Sequence, residues 1–339
     1  MLELLVFLPF LVPVVVANLS ERHRQTPYTT ADAGTQRLID NGLRFLPHVL
    51  LAAINLSLLA VAALALLNAL AQQFMPDLVE ESAMDLNWGA VAVATLLTGI
   101  LAFLPLIAGI RRWLARFLPI DPDSPVHMTA LVLAVQMIGL SLAQMALIGS
   151  LENLATAGLE LTPWDVLLSG LPLFLFGVIG VGLWIRRDIG ATARRLGLLR
   201  PTWQQLLLAL GVTVLLLGLD LVVNLLWAEV DPFGYELMDQ VMRSLFGGLG
   251  TVVGAVVLGL SAGISEETLF RGAVQPRLGI VLAAVLFTIG HLQYSLTPAT
   301  LEVLLIGLIL GLVRKRTNTT VCIVIHALYN MTGALLGAW

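Results

Sequence analysis

The chain has 339 residues, of which 58% are hydrophobic and 12% charged, with a formal net charge of −4. Soluble domains carry about 25% charged residues, so soluble classes are excluded and a multispan membrane protein is implied. With no basic patch and no aromatic-basic interleaving a nucleic-acid binder is excluded too, and the single cysteine, Cys322, rules out an internal disulfide or a cysteine-rich metal site.

Met1 to Ala17 has the length of a signal-peptide core, but Glu3 stands where a basic segment is needed, and Arg22 and Arg24 follow the apolar run. That order predicts an uncleaved first span with its N-terminus outside. Apolar runs of about 20 residues, enough for a ~30 Å hydrocarbon core, lie at 2–18, 47–72, 88–110, 127–149, 166–185, 205–228, 249–270, 279–296, 299–313 and 319–337. They predict an all-α, polytopic helical membrane protein of ten transmembrane helices. Between successive runs the Lys and Arg residues number 4, 0, 3, 0, 5, 1, 2, 0 and 3, so seventeen of eighteen fall on alternate loops and only Arg243 does not. Basic loops are cytoplasmic, which places both termini outside. The localisation expected is a cell membrane, in a prokaryote the plasma membrane.

Trp88, Trp113, Trp164, Trp184, Trp203, Trp227 and Trp339 all fall at span ends, where their rings suit the headgroup level. The stretch 19–45 is predicted as a polar cytoplasmic loop, Asp77, Glu80, Glu81 and Asp85 as part of a solvated outer loop, and 235–242 as a short interfacial helix. Three glycine pairs, Gly250 with Gly254, Gly259 with Gly263 and Gly307 with Gly311, have the spacing that lets helix backbones approach. Two regions follow: 1–203, with five predicted spans, and 204–339, with the sixth span and a core of four.

The chemistry gathers in that core. Glu266 and Glu267 lie in an apolar helix, where each carboxylate costs roughly 3 kcal/mol to insert. Arg271 is four residues past Glu267, on the same helix face and close enough to pair. Glu266 points about 100° away and lacks that partner. It is the candidate general base, with Glu267 and Arg271 in support. Counted at 1.5 Å per residue from the cytoplasmic helix ends, Glu266 lies about 13 Å deep, His326 about 15 Å and His291 about 19 Å. Three helices therefore present acid and imidazole to one layer. Asn330 shares the face of His326 and could join it as a donor to a developing oxyanion.

Blander readings exist for each residue: a structural ion cluster for the acids, a histidine bonded to a backbone carbonyl, and simple packing for Cys322. The other histidines, His23, His48 and His127, lie in loops or at span ends. Asp220, with Asn224 one turn on, and Glu302 are further intramembrane acids, either interfacial or buried and hydrogen-bonded. In a transporter such acids would be proton sites, but no inverted repeat or pair of broken helices is visible.

Glu266-Glu267-Thr268-Leu269-Phe270-Arg271-Gly272, Phe287-Thr288-Ile289-Gly290-His291 and His326-Ala327-Leu328-Tyr329-Asn330 resemble, in order, the three motifs of the CAAX prenyl endopeptidase and bacteriocin-processing (Abi, CPBP) family. The resemblance runs from about Gly247 onward. It implies an intramembrane endopeptidase acting near the cytoplasmic face on a peptide or lipidated peptide, with Glu266, His291, His326 and Asn330 catalytic. It is compatible with two chemistries. One is a metal-free glutamate protease, favoured here, in which no cofactor is needed. The other is a zinc enzyme holding Zn²⁺ by Glu266, His291 and His326, although the two histidines lie on separate helices rather than in the His-Glu-x-x-His pattern. The rival from another class is a non-catalytic scaffold or bacteriocin-immunity protein that keeps the motifs for fold alone.

Overall fold

The computed structural model describes residues 2–30, 32–75, 86–156, 158–291 and 295–337. Asp77, Glu80, Glu81, Asp85 and Trp339, named above, lie outside the described residues. Among the described residues the elements are helices: α1 Leu2–Gln25, α2 Ala33–Phe74, α3 Trp88–Leu101, α4 Ala108–Leu114, α5 Pro125–Ile148, α6 Leu151–Thr156, α7 Pro163–Gly180, α8 Ile189–Leu196, α9 Trp203–Val230, α10 Pro232–Phe246, α11 Val252–Glu267, a π helix at Thr268–Val274, α12 Gln275–Ile289, α13 Pro298–Arg316 and α14 Thr319–Leu336. Among the described residues seven helical stretches are long and apolar enough to cross a membrane, among them Val252–Ile289 taken as one.

That stretch is in fact a hairpin. A straight helix would hold Glu266 and His291 roughly 37 Å apart, yet their side chains approach to 3.5 Å. The reversal is at Gly279, whose φ of +79° and ψ of 173° leave the helical region. A residue with a Cβ is disfavoured at such a φ. The two predicted spans at 249–270 and 279–296 are therefore separate, antiparallel arms.

Four boundaries differ from those expected, each for a local reason. The 19–45 stretch is mostly helix: α1 runs on to Gln25, and α2 begins at Ala33, where Asp32 caps it by accepting from Thr35 N at 2.6 Å. α3 stops at Leu101, short of residue 110, because Pro105 has no N–H to continue the ladder, and a 3₁₀ turn at Leu104–Leu106 takes its place. The interfacial helix predicted at 235–242 is longer, since Asp231 caps it by accepting from Gly234 N at 3.0 Å. It buries Met238, Val241, Met242 and Leu245 in a cluster with Trp227. Trp227 is thus an internal residue, only 5% exposed, rather than a headgroup anchor.

The basic loops meet at one end of the bundle. Arg24 pairs with Asp121 at 2.6 Å, Ser124 Oγ donates to Glu21 at 2.8 Å, Arg195 donates to the Gly272 carbonyl at 3.1 Å, and Thr319 N donates to the Gly197 carbonyl at 2.9 Å. The opposite end is closed by Leu161 N donating to the Leu245 carbonyl at 2.8 Å.

The pair Gly259 and Gly263 acts as the spacing predicts, whereas Gly254 packs against Leu249 just before its own helix. A Cβ on Gly259 would lie 2.5 Å from the Ala327 carbonyl oxygen, and one on Gly263 3.0 Å from that of Ile323, so α11 and α14 touch backbone to backbone. Gly311 similarly admits Ile280 of α12 against α13. Close contact fixes the height of α14 against α11. It therefore sets where His326 meets the acid pair.

Candidate active site

The second motif residue of the hairpin explains why the first is held so firmly. Phe287, 2% exposed, has Arg271 4.2 Å above its ring centroid and packs edge-on against Phe270 and His326 at 5.6 Å and 5.8 Å. Arg271 donates to Glu267 at 3.0 Å, as the spacing of four predicts, and also to the Gly307 carbonyl of α13 at 3.2 Å. Both side chains of the pair are fully enclosed, at 1% and 0% exposure. A buried cation and anion with such partners form a structural unit. Arg271 lies in a π helix that follows directly on Glu267, a form concentrated at functional sites that was not legible in the sequence.

Glu266 turns the other way. Its carboxylate lies in a cavity of about 570 Å³, and Nε2 of His291 is its nearest cation-forming partner, at 3.5 Å. Nδ1 of His291 faces the Phe287 carbonyl at 2.8 Å, which fixes the ring with Nε2 toward the acid. At 3.5 Å the two groups are too far apart for a strong direct bond, yet both can reach one water molecule.

His326 and Asn330 of α14 line the same cavity. Glu266, His291, His326 and Asn330 are thus brought together, and Glu267 and Arg271 stand behind them. One contact was not anticipated: Nδ1 of His326 lies 2.9 Å from Oε1 of Glu267, the same oxygen that accepts from Arg271. Glu267 therefore serves a histidine as well as the arginine. No spacing rule could have shown it, since the partners are separated by 59 positions on different helices.

The zinc alternative can be tested against this geometry. With Nδ1 of His326 directed at Glu267, its remaining nitrogen would have to converge with Glu266 and His291. Among the described residues no group of three or more His, Cys, Asp or Glu side chains is placed to hold a metal ion.

The cavity runs from these four residues toward the end of the bundle opposite the basic loops, along α9, α10 and the start of α13. Asp220 and Glu302 lie on its wall, so neither is an interfacial residue. Glu302 accepts from the Tyr329 hydroxyl at 3.2 Å, and Asp220 from Asn224 at 3.2 Å. Tyr329 was quoted within the third motif but given no role; its place beside Asn330 and three residues past His326 was the available signal. Leu221 and Leu225 also line the cavity while remaining 59% and 63% exposed on the outside of the bundle, so the wall beside α9 is thin and opens sideways. Cys322 is a packing residue, buried with its Sγ 3.4 Å from the Leu310 carbonyl.

Comparison with known proteins agrees with the motif residues. Residues 248–332 match the family model described as type II CAAX prenyl endopeptidase, Rce1-like, a segment reaching from just before α11 into α14. No curated protein and no solved structure gives a significant match. All six candidate site residues fall within the matched segment, which is similar to the Rce1-like, type II CAAX prenyl endopeptidase family over about a quarter of the chain.

Proposed function

We propose that the protein is a metal-free intramembrane endopeptidase of the CAAX type, with Glu266 as general base. The observation that supports this most directly is that Glu266, His291, His326 and Asn330, from three parts of the helical bundle, line one cavity. A scaffold that kept the motifs for packing would have no need to aim all four at the same space.

In the proposed reaction Glu266 takes a proton from a water molecule also held by His291, and the water oxygen bonds to the scissile carbonyl carbon. The resulting oxyanion accepts hydrogen bonds from the Asn330 amide and from Nε2 of His326. Because Nδ1 of His326 already faces a carboxylate, the ring carries both protons in this role, and Glu267 balances its charge. Breakdown of the tetrahedral intermediate cleaves the C–N bond, and the proton held by Glu266 leaves on the amine. The charges then balance locally: two carboxylates against one guanidinium and one imidazolium.

The topology proposed with it has ten passes, both termini outside and the basic loops cytoplasmic. The reacting layer lies nearer the basic loops, and the opening beside Leu221 and Leu225 would let a lipid-modified peptide enter with its hydrocarbon still in the bilayer. The test is peptide cleavage by the reconstituted full chain, using matched substrates with and without an isoprenyl group. Cleavage of the lipidated substrate that is lost in Glu266→Gln is the expected result. Absence of cleavage of both substrates by a folded wild-type chain would reject the proposal.

A further inference from the structure

A second cavity, of about 930 Å³, lies on the other side of the π helix from Glu266, among α1, α5 and α7. Toward the middle of the bundle its wall is mostly apolar, with Phe7, Phe10, Leu140, Phe176 and Leu269, interrupted by Gln136, Ser141 and Gln144 of α5. Toward the basic end it is lined by Arg24, Arg186, Arg187, Arg195 and Arg277, against which stand only two acids, Glu21 and Asp121. Both acids pair with Arg24.

The other four guanidinium groups make no ion pair among the described residues. Arg186 donates to Asn18 at 2.8 Å, Arg187 to the Val181 carbonyl and Arg195 to the Gly272 carbonyl at 3.1 Å, all of them neutral acceptors. Burial, and next the Arg187 charge, hold Arg186 down at about 10; burial, and next Arg277, do the same to Arg195. The preference for basic cytoplasmic loops accounts for the end at which these residues lie. It does not account for several of them converging, partly buried, on one cavity that has an oily floor. Crowded like charges of this kind are relieved by a bound anion, and the planar guanidinium fork matches phosphate oxygens.

We propose that this cavity binds an anionic phospholipid, with its phosphate among Arg186, Arg187, Arg195 and Arg277 and an acyl chain along the phenylalanine wall. Inorganic phosphate could answer the arginines but would leave the apolar length unused. A lipid answers both. Its chain would rest on Leu269, on the reverse side of the helix that carries the acid pair.

The test is native mass spectrometry of the purified full chain, equilibrated with phosphatidylglycerol and phosphatidylcholine in equal amounts. The wild type should retain phosphatidylglycerol preferentially, and Arg187→Gln with Arg277→Gln should lower that retention about tenfold or more. Arg112→Gln with Arg116→Gln removes the same charge from exposed residues outside the cavity and should change little. Matching elution profiles and helix content would establish that the variants are folded. Equal retention by the Arg187/Arg277 variant and the wild type would overturn the site, and so would thermal stabilisation by inorganic phosphate as large as that by phosphatidylglycerol vesicles.

Discussion

His326 is tied to Glu267 through Nδ1, at 2.9 Å, so the acid that neutralises Arg271 also aims a cavity-lining imidazole. The two adjacent glutamates are therefore separated by role as well as by direction: Glu266 faces the cavity and Glu267 holds the frame.

This separation predicts opposite outcomes for the same substitution at neighbouring positions. Glu266→Gln should abolish cleavage while leaving the yield of folded protein and the melting temperature near those of the wild type. Glu267→Gln leaves Arg271 buried without its counter-ion, a loss of roughly 3–5 kcal/mol. It should lower thermal stability in detergent as well as activity. Equal stability of the two variants would show that Glu267 does not carry the buried pair.

Asn330 can be tested in isolation because its side chain makes no hydrogen bond among the described residues, and its loss breaks no structural contact of that kind. Asn330→Ala should reduce kcat by about 10²–10³, the usual effect of removing one oxyanion donor. KM should change much less. A rise in KM with kcat preserved would instead make Asn330 a substrate-binding residue.

For the helix contact, Gly259→Val should be far more damaging than its distance from the reacting groups suggests, because the added Cβ meets a backbone carbonyl at 2.5 Å that cannot move aside alone. Gly211→Ala, with nothing within 4 Å, is the control and should be neutral or slightly stabilising. The measurement is the fraction of folded protein after heating. Equal behaviour of the two variants would argue against a backbone contact between α11 and α14.

The metal-free reading proposed above is tested directly by metal analysis. A strong chelator should leave cleavage largely intact, and purified protein should carry substoichiometric zinc. Stoichiometric zinc that is removed and restored together with activity would turn His291 and His326 into ligands and require His326 to leave Glu267.

Much of this arrangement was legible because membrane helices obey few rules. Apolar length marked the helical stretches long enough to cross a membrane, seven among the described residues, and the spacing of four between Glu267 and Arg271 predicted a bond that exists at 3.0 Å. The three motifs together contain Glu266, His291, His326, Tyr329 and Asn330 of the cavity lining, while Asp220, Glu302, Ser261 and Ser265 lie outside them. Pro105 was a readable breaker that the hydropathy of its neighbours concealed. Asp32 was a readable cap in a stretch judged by polarity alone. The sharing of Glu267 by Arg271 and His326 could not be read, because it depends on the height at which α14 docks. So did the burial of Trp227, which hydropathy treats as a surface ring and α10 covers.

The turn at Gly279 also has a bearing on how the protein is made. Glu266 and His291 sit on two arms of a single hairpin, so they can meet as soon as that short stretch has entered the membrane, with only a small loop to close. His326 and Asn330 belong to a helix synthesised later. On the proposed mechanism, a nascent chain that has inserted the hairpin but not yet α14 would hold the proposed base and its imidazole without either proposed oxyanion donor. Hydrolytic competence would then arise only when α14 slots against the glycines of α11, so that a ribosome-bound intermediate is spared from cutting its neighbours.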